Sequence, residues 1–160
     1  LILVTVSLSA QDFKNLDKSP MDAVITRNQD NSPLARIIYS RPKKKNRIIF
    51  GDLVPYGKIW RTGANEATEI TFYEDVLFNS EKVKAGTYTL YTIPNKGNWI
   101  VIINQVINTW GAYSYNDSSD ILRTTVKARN TAATLEEFSV FLLPQNHGHL
   151  SDTNQRIVDQ

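Results

Sequence analysis

The sequence predicts an all-β protein, a β-sandwich of about eight or nine strands with jelly-roll-like or Greek-key connections and no substantial helix. Short segments rich in β-branched and aromatic residues recur along the chain, separated by Gly, Pro, Asn and Asp. Within these segments apolar residues alternate with polar ones, and this period of two places every second side chain of a strand in the core.

The bulk composition predicts a single domain. The chain has 160 residues, of which 41% are hydrophobic, and this suffices for a continuous core without metal or disulfide support. We place the sandwich in residues 32–143, after a lead-in over residues 11–31 that ends in turn-forming residues. Residues 144–160 are polar and lack periodicity, so we expect an irregular tail, which a truncation or a frame error would explain.

The N-terminal segment predicts export. Residues 1–10 form an apolar run that becomes small and polar at Ser7 and Ser9, and charged residues follow. Such a segment is too short to span a bilayer and is typical of the remnant of a secretory signal peptide, with cleavage after Ser9. We therefore expect a periplasmic or cell-surface protein without a transmembrane segment. The alternative is a buried N-terminal strand.

The clearest strands form a hairpin. In residues 87–93, Tyr88 and Leu90 share one face, and the other face carries Thr87, Thr89 and Tyr91. Residues 95–98 supply the turn into residues 99–103, whose continuous apolar run predicts a central strand covered on both faces. The same alternation predicts further buried positions at Ile70 and Phe72, at Thr124, Val126 and Ala128, and at Phe138, Val140 and Leu142.

Composition excludes several chemistries. The chain has no cysteine, which rules out disulfides, thiolate nucleophiles and cysteine metal sites. Its histidines, His147 and His149, both lie in the expected tail, so the body of the chain has no imidazole for a catalytic triad or a metal. A net charge of +2 without a basic face argues against a nucleic-acid partner. We predict no cofactor, no metal site and no assignable catalytic residue.

Seven sequence motifs occur in series, and together they resemble the domain of unknown function family 2911, with a match over about residues 32–129. The resemblance implies exported proteins of the Bacteroidetes type, built mainly from β-strands, and no assigned activity. Asn46 stands where similar proteins usually carry glycine, and the strand pair expected after Phe138 is missing. The motifs are IYSRP at residues 38–42, RIIFG at 47–51, LVPYGK at 53–58, WRTGANEAT at 60–68, AGTYTL at 85–90, YTIP at 91–94 and WGAY at 110–113.

Residues 60–68 carry the densest group of side chains suited to a ligand. They combine an aromatic ring, a guanidinium, a carboxamide and a carboxylate around a glycine. Arg61 can hold a carboxylate or phosphate, the amide and carboxylate can bind sugar hydroxyls, and an aromatic ring can stack on a sugar. With a second aromatic segment at residues 110–120, the candidate ligand-binding residues are Tyr56, Trp60, Arg61, Asn65, Glu66, Trp110 and Tyr115.

Each candidate also has a structural interpretation. Residues 60–68 can form a turn in which Arg61 pairs with Glu66 and Trp60 is a core anchor. Residues 110–120 can be a plain surface loop, with a calcium site as a weaker possibility. The basic run at residues 41–47 is typical of a solvated turn between strands, and contact with a polyanion is its alternative.

We therefore expect a binding or interaction module for a glycan or a small polar ligand. The alternatives are an Asp/Glu-dependent hydrolase with Arg61 stabilising an anion, and a purely structural envelope protein. Glu66 and Glu69 do not form a catalytic pair within one regular strand, because a separation of three places them on opposite faces.

Overall fold

A computed structural model of the protein describes residues 15–142 and the backbone of the short strand at residues 149–150. Nearly all regular structure in this part of the chain is β, which confirms the predicted all-β class. A single 3₁₀ turn at Asp117–Ser119 precedes the eighth strand. The strands are β1 Met21–Arg27, β2 Pro33–Ser40, β3 Glu69–Phe72, β4 Val76–Phe78, β5 Glu81–Val83, β6 Gly86–Ile93, β7 Asn98–Asn104, β8 Asp120–Lys127 and β9 His149–Leu150.

The strands form two sheets. Six strands make an antiparallel sheet in the order β1-β2-β3-β6-β7-β8, and a small sheet has the order β5-β4-β9, with β9 parallel to β4. The large sheet is a meander with the β4–β5 hairpin inserted between β3 and β6. Among the described strands, the large sheet follows the order of the chain apart from that hairpin, so the Greek-key or jelly-roll order expected from the sequence is not seen there.

The two sheets share one core, as in a sandwich. Phe72 of β3 contacts Phe78 of β4 edge to face, with ring centroids 6.3 Å apart. Val76 and Val83 of the small sheet belong to the same continuous apolar cluster as residues from all of the central strands of the large sheet. Burial of this shared face is the main source of stability expected for such an architecture.

The other face of the large sheet is also covered at its centre. Tyr91 of β6 and Ile102 of β7 are buried there with Ala67, beneath the segments that precede β3 and β8. Trp99 and Val101 of β7 point into the core between the sheets. Strand β7 is therefore covered on both faces, as its continuous apolar run predicted.

The remaining alternations are reproduced with two exceptions. Ile70, Phe72 and Thr124 are buried, and their strand neighbours are more exposed. In β6, Leu90 is buried, but Thr89 and Tyr91 on either side of it are buried as well, because the centre of this strand is covered on both faces. The turn at residues 95–97 uses a positive φ of 86° at Gly97 and joins β6 to β7 as predicted.

The second exception is the segment at residues 138–142. Phe138 and Val140 are buried as the pattern predicted, but the segment is not a strand. The Phe138 N–H donates to the carbonyl of Pro42 at 3.0 Å, next to an isolated bridge between Lys43 and Glu137. An isolated bridge attaches this segment to the start of the connection after β2 without building a ladder.

Strand β1 was not predicted. It occupies the second half of the expected lead-in of residues 11–31 and pairs with β2 from Met21 opposite Ser40 to Arg27 opposite Pro33. Only Thr26 of this edge strand is buried, so its sequence carries little of the alternation that reveals strands. The predicted signal remnant of residues 1–10 lies outside the described residues, as does the predicted tail of residues 144–160 apart from β9.

An aromatic cluster ties the connections to the core. The Trp60 ring packs edge to face against Phe50 at 5.5 Å, Phe138 at 5.3 Å and Trp99 at 6.3 Å. Its indole Nε1–H donates to the carbonyl of Gly63 at 3.1 Å, so the polar atom of this buried ring is satisfied. Three parts of the chain that are distant in sequence meet at this one side chain.

Replacing Trp60 with alanine is expected to lower the free energy of unfolding by about 3–5 kcal/mol, because it leaves a cavity and removes the aromatic contacts. The matched control is Trp110→Ala, whose side chain is 62% exposed and whose removal is expected to change stability by less than about 0.5 kcal/mol. Urea denaturation followed by far-UV circular dichroism measures both. Equal stability losses in the two variants would contradict the assigned role of Trp60.

Candidate functional site

The turn at residues 60–68 is closed by its own hydrogen bonds. Trp60 exchanges two backbone hydrogen bonds with Thr92, at 2.7 and 3.0 Å, which fixes the start of the turn to β6. The Thr68 hydroxyl donates to the Thr62 carbonyl at 2.6 Å, and the Thr68 N–H donates to the Arg61 carbonyl at 3.1 Å. These bonds close the turn. The structural interpretation of the sequence expected an Arg61–Glu66 ion pair in that role, but the ion pairs among the described residues do not include it.

Two residues of this turn adopt left-handed backbone conformations. Thr62 has a φ of 56° and Asn65 a φ of 58°. Asparagine tolerates this region, but a β-branched threonine does so only when its surroundings enforce it. Thr62 is fully buried, and its hydroxyl hydrogen-bonds the Thr92 hydroxyl at 3.1 Å, so the packing of the turn against β6 holds it there.

The structure separates the predicted site residues by exposure. Trp60 is only 8% exposed and its ring is enclosed by other aromatic residues, so its face is not open to a ligand. Arg61 is partly buried, and its Nε has no hydrogen-bond partner among the described residues. Glu66 is exposed.

Three of the predicted residues lie together at the surface. Glu66 and Trp110 face each other in an isolated antiparallel bridge, and the Gly111 N–H donates to the Asn65 carbonyl at 3.1 Å. The Asn65 side chain is already engaged, because its Nδ2 donates to Asp17 at 3.0 Å. A hydrogen bond from the Ser19 N–H at 2.7 Å and, next, the bond from Asn65 hold the pKa of Asp17 below its usual value.

Tyr115 belongs to a partly buried polar network. Its ring packs on Tyr91 at 5.1 Å, and its hydroxyl donates to Asp120 Oδ2 at 2.6 Å. Burial, reinforced by this bond to a carboxylate, raises the pKa of Tyr115 well above its usual value. The other oxygen of Asp120 accepts from Asn104 Nδ2 at 2.8 Å.

The same contacts bear on the calcium possibility at residues 110–120. One oxygen of Asp120 accepts from Tyr115 and the other from Asn104. The Oδ1 of Asn116 accepts from the Ser118 N–H. Within the described ranges, no three histidine, aspartate or glutamate side chains are grouped as a metal site requires. The network fixes the loop before β8 to β7.

A groove of about 580 Å³ lies elsewhere, at the end of the large sheet. It is lined by three parts of the chain: residues 44–56 between β2 and β3, residues 95–99 at the β6–β7 turn, and residues 128–130 after β8. Tyr56 is the one predicted ligand-binding residue that lines it. Connections that meet at one end of a sheet are a common place for binding sites.

The walls of the groove are anchored to the core. Phe50 packs on Trp99 with ring centroids 4.6 Å apart, and the Ala128 N–H donates to the Gly97 carbonyl at 2.9 Å. The Tyr56 ring lies directly over Gly51, where a Cβ would come within 2.5 Å of the ring. Gly51 therefore has to be a glycine for Tyr56 to lie in this position, and its φ of 92° requires the same.

The basic run of residues 41–47 is divided by the fold. Arg41 pairs with Asp22 at 3.0 Å, and Lys43 pairs with Glu137 at 3.2 Å, which ties the run to β1 and to the segment after β8. Lys44 and Arg47 instead line the groove, together with Lys96 from the β6–β7 turn. Sequence reasoning identified the basic run and the hairpin turn separately, but nothing in either segment indicates that they meet.

Among the described residues, no helix is long and apolar enough to cross a membrane. A comparison with protein families matches residues 19–151 to a family described as protein of unknown function (DUF2911). No curated protein and no solved structure matches the chain. The matched region covers most of the 160 residues and contains all nine described strands. The chain therefore belongs to the DUF2911 family, whose function is unknown.

Proposed function

We propose that the protein is a binding module and that the groove takes up a glycan or another small polar ligand. The observation that carries this proposal is the groove itself. Its volume of about 580 Å³ is within the range of about 300–1,000 Å³ that is typical of small-molecule sites. Its lining combines an exposed aromatic ring with several carboxamides, and this is a surface suited to sugars.

The chemistry of the lining supports a hydroxyl-rich ligand. Asn46, Asn95 and Asn130 line the groove, and each carboxamide has donors and an acceptor for hydroxyl groups. Tyr56 is 39% exposed and lines the groove, so it can supply an apolar surface for one face of a sugar ring. Amides and an aromatic ring in one concave surface are the two components that a glycan needs.

The groove is largely formed before any ligand binds. Two backbone bonds brace the loop beneath it, from the Val54 N–H to Ile49 at 2.8 Å and from the Gly51 N–H to Val54 at 2.9 Å. The Gly57 N–H donates to Pro94 at 2.9 Å and attaches this loop to the β6–β7 turn. A pre-organised site loses little conformational entropy on binding, which favours affinity.

The lining does not favour the hydrolase alternative. A glycosidase of the usual kind needs two carboxyl groups about 5–9 Å apart on either side of the bond that breaks. The groove is lined by no aspartate or glutamate from the described part of the chain. Glu69, another carboxylate close to the predicted turn, accepts the Asn108 N–H at 2.6 Å and serves the loop before β8.

Titration calorimetry with neutral, amino and acidic trisaccharides tests the proposal. Replacing Tyr56 with alanine is expected to weaken binding about two- to tenfold, the loss expected for an aromatic contact of about 0.5–1.5 kcal/mol. Tyr56→Phe keeps the ring and is expected to retain most of the affinity.

The matched control is Trp110→Ala, which removes an exposed aromatic side chain outside the groove and is expected to leave the affinity unchanged. If Trp110→Ala abolishes binding and Tyr56→Ala preserves it, the site lies at the Glu66–Trp110 surface and not in the groove. The absence of binding to any trisaccharide would overturn the proposal.

We also propose that the protein is exported, on the strength of the apolar segment at residues 1–10. Expressed from its full open reading frame, the protein is expected in the periplasm or at the cell surface, with Ala10 as its first residue. N-terminal sequencing of the fractionated protein checks this. A cytoplasmic product that retains residues 1–9 would contradict export.

A further inference from the structure

We infer that the groove selects an anionic saccharide, one that carries a carboxylate, sulfate or phosphate, through a cation cluster of Lys44, Arg47 and Lys96. This inference rests on the proposed function and adds the charge of the ligand. The three side chains come from two connections and line the same groove. No acidic residue of the described chain lines the groove with them.

Three acids that contact the basic run are already engaged by residues outside the cluster. Asp22 pairs with Arg41 at 3.0 Å, and Glu137 pairs with Lys43 at 3.2 Å. Glu136 uses a carboxylate oxygen to accept the Lys45 N–H at 2.8 Å. The three cations of the cluster form no ion pair with any other described residue, so their positive charge is left for an incoming anion.

The turn between β2 and the groove fixes two of these cations. Lys45 and Asn46 both have positive φ, 52° and 57°, and the Arg47 N–H donates to the Lys44 carbonyl at 3.2 Å. Positive φ at both central residues is typical of a tight hairpin turn. Lys44 and Arg47 therefore stand opposite each other at the two ends of one rigid turn.

The Arg47 guanidinium is held in place before a ligand arrives. Its Nε donates to the Lys44 carbonyl at 2.9 Å, and its Nη2 donates to the Lys43 carbonyl at 2.7 Å. Neither partner neutralises its charge. A guanidinium fixed by two carbonyls and still carrying free N–H groups loses little freedom when it binds an oxyanion.

The rest of the lining indicates that the anion is part of a larger molecule. An inorganic oxyanion fills only a small part of 580 Å³. Tyr56 and the carboxamides of Asn95 and Asn130 line the same groove as the cations and are suited to a ring and its hydroxyls. Charge, ring and hydroxyl recognition together describe an acidic sugar.

Calorimetry with matched ligands tests the charge requirement. The galacturonic acid trisaccharide is expected to bind at least about tenfold more tightly than the neutral galactose trisaccharide in 50 mM salt, and this advantage is expected to shrink in 500 mM salt. Galactose 6-sulfate and galactose 6-phosphate, compared with galactose, show which acidic group the groove prefers.

Two charge-removing variants and one control locate the effect. Lys96→Gln and Arg47→Gln are each expected to weaken binding of the acidic trisaccharide at least about fivefold while changing binding of the neutral one by less than about twofold. Lys82→Gln removes an exposed charge on β5, outside the groove, and is expected to change neither. Lys96 lies in an exposed turn, so Lys96→Gln is expected to have the same unfolding temperature as the parent protein. This variant therefore tests the charge requirement even if Arg47→Gln is less stable.

The outcomes separate the two proposals. Equal affinity for the acidic and neutral trisaccharides in the groove would overturn the charge inference and leave the binding module standing. If sulfate alone binds as tightly as the acidic trisaccharide, the groove is a simple anion site, and the assignment of a saccharide as its ligand is overturned. Tighter binding of single-stranded oligonucleotides than of the acidic trisaccharide would also overturn the assignment of a saccharide as the ligand. No binding by any saccharide would overturn both proposals.

Discussion

The packing of Trp60 against Phe50, Trp99 and Phe138 is the interaction on which the rest of the structure depends. These four rings come from the two halves of the long connection between β2 and β3, from the central strand β7, and from the segment that follows β8. The connection contains no regular strand, and backbone bonds between Trp60 and Thr92 attach it to β6 at an isolated bridge. The aromatic cluster adds to that bridge by packing the connection against the core.

The groove is a consequence of that cluster. Phe50 is held by Trp60 and Trp99, and the residues on either side of it form one wall of the groove. The opposite wall is the β6–β7 turn, which the same strand β7 positions. Ion pairs between Arg41, Asp22 and Glu137 fix the start of the basic run, so the later cations of the run are directed to a defined place. Rigid support beneath a polar surface is the arrangement expected of a binding site.

The sequence was sufficient for the strands whose two faces differ in polarity or are both buried. Ile70 and Phe72 in β3, and the apolar run in β7, lie where the period of two placed them. Strand β1 could not be predicted because its inward face carries Asp22 and Thr26 while Met21 and Ile25 are exposed, so polarity does not follow the period of two. The groove could not be predicted because it exists only where three connections meet. The position of Trp60 also depended on tertiary contacts, since an aromatic residue next to polar ones is equally typical of a core anchor and of a ligand platform.

The most direct test of the account maps the binding surface residue by residue. Titration of ¹⁵N-labelled protein with the galacturonic acid trisaccharide, followed by two-dimensional NMR, reports on every assigned amide and on the indole signals of Trp60, Trp99 and Trp110. We expect shifts in residues 44–50, 95–99 and 128–130, with the indole signal of Trp110 unchanged. Shifts centred on Glu66 and Trp110, with the groove amides unchanged, would contradict it.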